Sequence, residues 1–313
     1  MKKYKLILFG GNRLKENAPM TTVINFLLKK KISFLVITDQ IHSKKLINKT
    51  ITFNSYLKNR NIPYLIWKKL NLNKIKKFAN NETKGLSLNS IWKFDDNIIK
   101  FFNGSLYNYH AGDLPTERGA GCITWRILLE KKKNISINIH RVEKSFDTGA
   151  IILSKKVNKN FKNSLPENIN SYQAKLEKPF LEKFLNIILS KNKKKLNGKM
   201  QKNKNSYYWP RLNSDKDGLV NWSWDAKSIV NFIKGFSHPF NGAFSYIDNC
   251  KVRIFNASYH VSNNKFHPFQ NGIIFRIDKK SIFVAACNHY IKIPLKDIKI
   301  KKRKIFFLGK RFN

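Results

Sequence analysis

Apolar positions recur along the chain with two different periods. Residues 4–9 form a short apolar run of strand type that ends in the turn signal Gly10-Gly11-Asn12. Pro19 then stands where a helix can begin. Met20, Val23, Ile24, Leu27 and Leu28 follow at i, i+3, i+4, i+7 and i+8, which places them on one buried stripe. Residues 32–38 give the next strand, a helical stretch is expected near 53–58, and further strands at 63–67 and 85–90. Strands that alternate with helices imply βαβ units: an α/β, Rossmann-like sheet, mostly parallel and covered on both faces. In such sheets ligands bind outside the carboxyl ends of the strands, so that is where chemistry is sought.

The pattern changes in the second half. Residues 191–204 carry seven lysines and no acid, with few apolar anchors, and read as a linker. Ile229, Phe232, Ile233 and Phe236 then mark one short helix, followed by strand-like runs at 243–247, 251–257, 272–277, 281–285 and 290–294. Short strands between polar turns suggest a small β-barrel or sandwich. The expected organisation is a catalytic domain over 1–190, a basic linker over 191–208 and a small, OB-like β-barrel domain over 209–313.

At 313 residues the chain is long enough for two domains. Apolar residues make up 42% of it, and no apolar run approaches the roughly 18–20 residues a membrane helix needs. The opening run is too short for a secretory segment and has no small-residue cleavage site after it, so a cytoplasmic protein is expected. Cys122, Cys250 and Cys287 are odd in number and widely spaced, which suits neither a zinc site nor a disulfide framework. Gly10-Gly11 lacks the G-x-G-x-x-G spacing, so no dinucleotide is expected. Charge is extreme: 61 Lys+Arg against 19 Asp+Glu give +42, a field that attracts polyanions. Lys, Asn and Ile crowd the whole sequence, so compositional bias accounts for the same number without any partner.

The most informative stretch is 104–121. Leu106, Asn108 and His110 share one face of a strand because side chains alternate with period two, so an amide and an imidazole emerge side by side. A Gly-rich loop containing Pro115 and a helix near 123–130 follow. After another strand, at 135–142, Asp147-Thr148-Gly149 can return a carboxylate to the same place. Taken alone, Asn-x-His at a strand end is a capping Asn beside a half-exposed His, and Asp-Thr-Gly is a plain turn. An aspartic protease would need a second such triplet, which the sequence lacks. Together, amide, imidazole and carboxylate at the end of a sheet suit acyl transfer.

The stretch from Asn108-Tyr-His110 through Gly112-Asp113-Leu114-Pro115 to Arg118-Gly119, then Trp125, then Ile137-Asn-Ile139-His140 leading to Asp147-Thr148-Gly149, resembles the signature of formyltransferases that use 10-formyltetrahydrofolate. Arg211-Leu212, 217–222, Phe232-Ile233-Lys234 and 238–244 are similar to the carboxyl-terminal barrel of the methionyl-tRNA and amino-sugar branches. The resemblance implies Asn108, His110 and Asp147 as catalytic residues. Gly112, Asp113, Leu114, Pro115, Arg118 and Gly119 would line the pocket for the folate co-substrate, and no metal is required.

The acceptor amine is the open question. The charge, the lysine-rich linker and the basic run 299–304 favour a phosphate backbone and hence methionyl-tRNA. Leu8-Phe9-Gly10-Gly11 without a following Thr-Pro, a short 38–63 segment without an Arg-Gly-Lys-Lys motif, and Trp125 look more like the sugar enzymes. The initiator tRNA is taken as the first expectation and a nucleotide-linked amino sugar as the second. A basic RNA-binding module on a degenerate transferase fold is the non-enzymatic alternative, and it leaves the intact Asn108, His110 and Asp147 without a purpose.

Overall fold

Seven strands make one sheet in the order β3-β2-β1-β4-β5-β7-β8 in the computed structural model, which describes residues 2–12, 18–131, 133–161, 163–190, 196–202, 204–263, 265–287, 289–300 and 306–313. Lys193, Lys194 and Lys195 of the expected linker, and 301–304 of the basic run, lie outside the described residues. The chain divides into two units. The first comprises Met1–Gly119, Ile135–Asn158 and Tyr172–Tyr208, and the second Ala120–Asn134, Lys159–Ser171 and Trp209–Asn313.

In the first unit β1 (Leu6–Gly10), α1 (Pro19–Lys29) and β2 (Phe34–Thr38) lie where the apolar pattern puts them. They are followed by α2 (Gln40–Ser43), α3 (Phe53–Asn59), β3 (Tyr64–Ile66), α4 (Leu72–Lys76), β4 (Lys84–Leu88) and α5 (Asp96–Phe101). β5 (Leu106–His110) completes a run in which every neighbouring pair is parallel. All residues of β1 and β2 are buried, as expected of strands covered on both faces. Several helix starts have a local cause. Thr52 and Asn71 accept backbone N–H bonds as caps of α3 and α4, and Pro19 occupies the first turn of α1.

After the short β6 (Arg118–Gly119) and α6 (Cys122–Leu128), β7 (Lys133–Arg141) returns antiparallel against β5. The sheet is therefore mostly rather than wholly parallel. β8 (Ile151–Asn160) forms its edge and leads into α7 (Pro166–Leu189), the longest described helix, which the sequence reading leaves unassigned. Phe180, Leu181, Phe184, Leu185 and Ile188 of α7 join Leu6, Leu8, Tyr107, Tyr109, Ile137 and Ile139 in one core. The opposite face of the sheet packs Ile7, Phe9, Ile98, Phe102 and Leu106 in a second core.

In the second unit β9 (Tyr208–Trp209) and α8 (Ser214–Asp217) precede α9 (Ala226–Gly235), whose cap Asp225 accepts from the Ser228 N–H. β10 (Ala243–Ile247) and β11 (Cys250–Ile254) form a hairpin across Asp248-Asn249, both at positive φ, as a two-residue turn of primed type demands. β12 (Ser258–Val261), β13 (Ile274–Ile277), β14 (Ser281–Ala286), β15 (His289–Pro294) and β16 (Ile298–Lys299) complete two antiparallel sheets, β10-β11-β16 and β12-β15-β14-β13. The four strands expected at 243–247, 272–277, 281–285 and 290–294 are present, as is the one at 251–257, shortened and begun a residue earlier. The apolar pattern does not mark β12, whose four residues are all exposed, so that no alternation shows. The unit is consistent with a small barrel. Its core joins Val220, Trp222, Ile229, Ile233 and Phe236 to Val252, Ile274, Val284 and Ile291. Among the described residues no helix is long and apolar enough to cross a membrane.

Candidate functional site

Strand pairing assembles the site. In the antiparallel pair of β5 and β7, Asn108 faces His140 and His110 faces Asn138. Residues directly opposite share a face of the sheet, and so do residues two apart on one strand. Asn108, His110, Asn138 and His140 therefore crowd one face, while Tyr107, Tyr109, Ile137 and Ile139 fill the core behind it.

Asp147 reaches this cluster from the loop between β7 and β8. The loop closes tightly: Arg141 N donates to Ala150 O at 3.0 Å, and a Cβ placed on Gly149 would lie 2.0 Å from the Arg141 carbonyl oxygen. Asp147 itself has φ 54°, in the left-handed region that Asp tolerates better than most residues. Its Oδ1 accepts from Asn108 Nδ2 at 3.2 Å and lies 3.1 Å from His140 Nε2. Its Oδ2 accepts from the Gly119 N–H at 2.8 Å and stands 3.5 Å from His110 Nδ1. The carboxylate is one-tenth exposed, and His110 and His140 are buried beside it. Burial pushes the Asp147 carboxyl upward, but the charge of His110, the hydrogen bond and charge of His140, and the Gly119 N–H outweigh it. The group is held well below the usual carboxylate range.

The imidazoles are constrained in different ways. His140 Nδ1 is 2.7 Å from the Arg141 carbonyl, so it is the donor there. Its Nε2 then accepts from Asn108 Nδ2, 3.1 Å away, when the ring is neutral, and donates to Asp147 when the ring is charged. His110 Nε2 lies 2.6 Å from the Glu117 carbonyl and donates to it, which turns Nδ1 toward Asp147. A partner for Nε2 must displace that carbonyl.

Of the three residues expected to carry the chemistry, Asn108 and His110 thus each meet the Asp147 carboxylate. Of the six residues expected to line a folate pocket, Gly119 touches this cluster through its N–H, and the others hold the connecting loop. Gly112 O accepts from Asn138 Nδ2 at 2.6 Å. The Asp113 N–H donates to Glu117 Oε2 at 2.8 Å, and the Asp113 carboxylate takes Ser136 Oγ at 3.0 Å and Lys156 Nζ at 2.9 Å. Leu114 is buried and Pro115 half-buried. The buried Arg118 guanidinium bonds to Gln201. The sequence pattern does not mark His140, the Glu117 carbonyl or Gln201 as site residues. His140 follows Ile137-Asn-Ile139 in the motif, but only the register opposite Asn108 reveals its place. Among the described residues no group of three or more His, Cys, Asp or Glu is arranged to hold a metal ion.

Its relatives define the class of protein: the chain belongs to the formyltransferase family. Residues 213–307 match the family model "Formyl transferase, C-terminal domain". The chain is 30% identical to the methionyl-tRNA formyltransferase of Prochlorococcus marinus (strain MIT 9215) over 231 residues, 66% of this chain and 67% of that protein. It is 27% identical over 224 residues to the bifunctional polymyxin resistance protein ArnA of Wigglesworthia glossinidia brevipalpis, 67% of this chain and 33% of that protein. The chain thus spans about a third to two thirds of the length of the curated relatives it matches. Its fold is shared with WlaRD, a sugar 3N-formyl transferase solved in the presence of dTDP and 5-N-formyl-THF. The TM-score is 0.67 at 18% identity, covering 94% of this chain and 98% of that one.

Proposed function

We propose that the protein transfers a formyl group from 10-formyltetrahydrofolate to a primary amine, with Asn108, His110 and Asp147 at the reaction centre. The observation that carries this reading is the contact of Asn108 and His110 with one buried, ionised Asp147. Solved relatives with this fold hold formylated folate, which supports a folate donor here. Gly112, Asp113, Leu114 and Pro115, with Arg118 and Gly119 of β6, are the residues assigned to its pocket.

Bound folate supplies a formyl carbon at which an amine attacks. The Asn108 amide, with one of its two N–H groups exchanged from His140 to substrate, and a charged His110 donate to the oxygen on which negative charge builds. For this, His110 Nε2 exchanges the Glu117 carbonyl for substrate, and Asp147, held ionised, keeps the resulting imidazolium favourable. The same imidazolium gives its Nε2 proton to the folate nitrogen as the bond from that nitrogen to the formyl carbon breaks, and takes one back from the attacking amine, so the ring ends as it began. His140 shares Asp147 and the Asn108 amide, so it fixes both without touching substrate.

Methionyl-tRNA is the acceptor we place first, because the +42 charge suits a polyanion and several sequence relatives are methionyl-tRNA formyltransferases. A nucleotide-linked amino sugar is the second reading, favoured by the fold's near end-to-end correspondence with WlaRD. The cytoplasm is the compartment proposed, in keeping with a sequence that has only three widely spaced cysteines. The deciding experiment incubates the purified protein with 10-formyltetrahydrofolate and, separately, methionyl-tRNA and nucleotide-linked amino sugars. Formylation of one class assigns the acceptor, and transfer to neither rejects the reading.

A further inference from the structure

The Asp147 turn is gripped by a side chain the chemistry does not use. Gln201 lies on the stretch that follows α7. Its Nε2 donates to the carbonyls of Asp147 and Gly149, each at 2.8 Å, and its Oε1 accepts from Arg118 Nε at 3.2 Å and Nη2 at 2.9 Å. Donors meet carbonyls and the acceptor meets a guanidinium, so the amide's orientation is fixed by its partners. The stretch carrying it is tied down on both sides: Lys199 and Ile151 exchange both backbone bonds, at 2.8 and 2.9 Å, and Arg141 Nη2 donates to Leu196 O at 2.6 Å.

We infer that Gln201 is a positioning residue for the reaction: it clasps the Asp147-Thr148-Gly149 turn to Arg118 and so sets where the Asp147 carboxylate stands between His110 and His140. This rests on the proposed formyl transfer and adds to it a part that no contact with substrate would reveal. The physical need is plain. Asp147 sits at φ 54° and its carboxylate meets four groups from β5, β6 and β7, so a small rotation of the turn breaks several bonds at once. The two carbonyls flanking Thr148 are the handles by which such a rotation is resisted. Arg118 completes the clasp, because the same residue begins β6, whose Gly119 N–H also holds Asp147.

Two variants separate positioning from simple anchoring. Gln201→Glu keeps the acceptor for Arg118 but loses both donors to the turn, and Gln201→Ala loses both halves. In the full-length protein, both are expected to lower kcat about 10- to 100-fold, the order of loss that a misplaced catalytic group produces, with KM for folate changed less than about threefold. Gln201→Glu keeps the partner of the buried Arg118 and should melt closer to the parent than Gln201→Ala does. The ring ¹⁵N signals of His110 and His140, read by NMR without any substrate, should shift in both variants. A Gln201→Glu protein with parental kcat and parental ring signals overturns the inference and leaves Gln201 as an anchor for Arg118. If the parent transfers no formyl group, the functional reading fails, and the ring signals alone decide whether the clasp positions Asp147.

Discussion

Asn108 and His140 stand directly opposite one another on β5 and β7, with Asn108 Nδ2 3.1 Å from His140 Nε2, and both lean on the same oxygen of Asp147. The amide is therefore aimed by two partners before any substrate arrives. Preorganisation of this kind is what makes a donor effective toward charge that develops only during reaction.

The first prediction concerns the division of labour between the two histidines. His110→Ala is expected to reduce turnover about 10²- to 10⁴-fold, the range for a lost acid–base group, with little change in folate affinity. His140→Ala should cost about tenfold, since it removes support from Asn108 and Asp147 but no group that meets substrate. Steady-state kinetics on both variants checks the order. Equal losses, or none, would contradict the assigned roles.

The ionised state of Asp147 has a signature in stability. Its carboxyl is depressed in the folded protein relative to the ordinary value of 3.8, so its stabilising contribution is fully present above that pH and fades as pH falls below it toward the folded value. The melting temperature of the parent should exceed that of Asp147→Asn at neutral pH, and the gap should narrow progressively below about pH 4. A gap that stays constant from pH 7 to 3 would show that the carboxylate's charge contributes nothing.

Gly149 tests why the turn carries glycine. A methyl there would press on the Arg141 carbonyl oxygen, which is backbone and has no rotamer to escape into. Gly149→Ala should lower stability by about 1–3 kcal/mol, the usual cost of overpacking, and displace Asp147 with it. Denaturant unfolding gives the first number and turnover the second. Parental stability would mean that the loop relaxes freely.

Salt separates charge as recognition from charge as composition. If the lysine-rich segment holds tRNA, log K against log salt should fall by about 0.7 to 0.9 per neutralised phosphate, and replacing Lys193, Lys194 and Lys195 by Gln should flatten the slope by two to three of those increments. The chemical step at saturating acceptor should not change. An unaltered slope, together with efficient formylation of an amino sugar, reverses the order of the two acceptors.

Much of this protein follows from its sequence alone. The period-three-to-four stripe in α1, the buried runs of β1 and β2 and the period-two run of β5 are local signals, and each element lies within a few residues of where its pattern puts it. The candidate residues Asn108, His110 and Asp147 also stood out, because their order and spacing are written in one dimension. Tertiary structure decided the rest. α7 was obscured by Pro179 and by a largely polar composition, and its apolar side chains declare themselves only against the core they fill. The antiparallel return of β7 set His140 opposite Asn108, and no local pattern specifies which residues of two strands will face each other. Gln201 came from a polar stretch whose purpose depends on groups more than fifty positions away. Periodicity reports which face of an element is buried, whereas register and long-range hydrogen bonds depend on how all the elements pack at once.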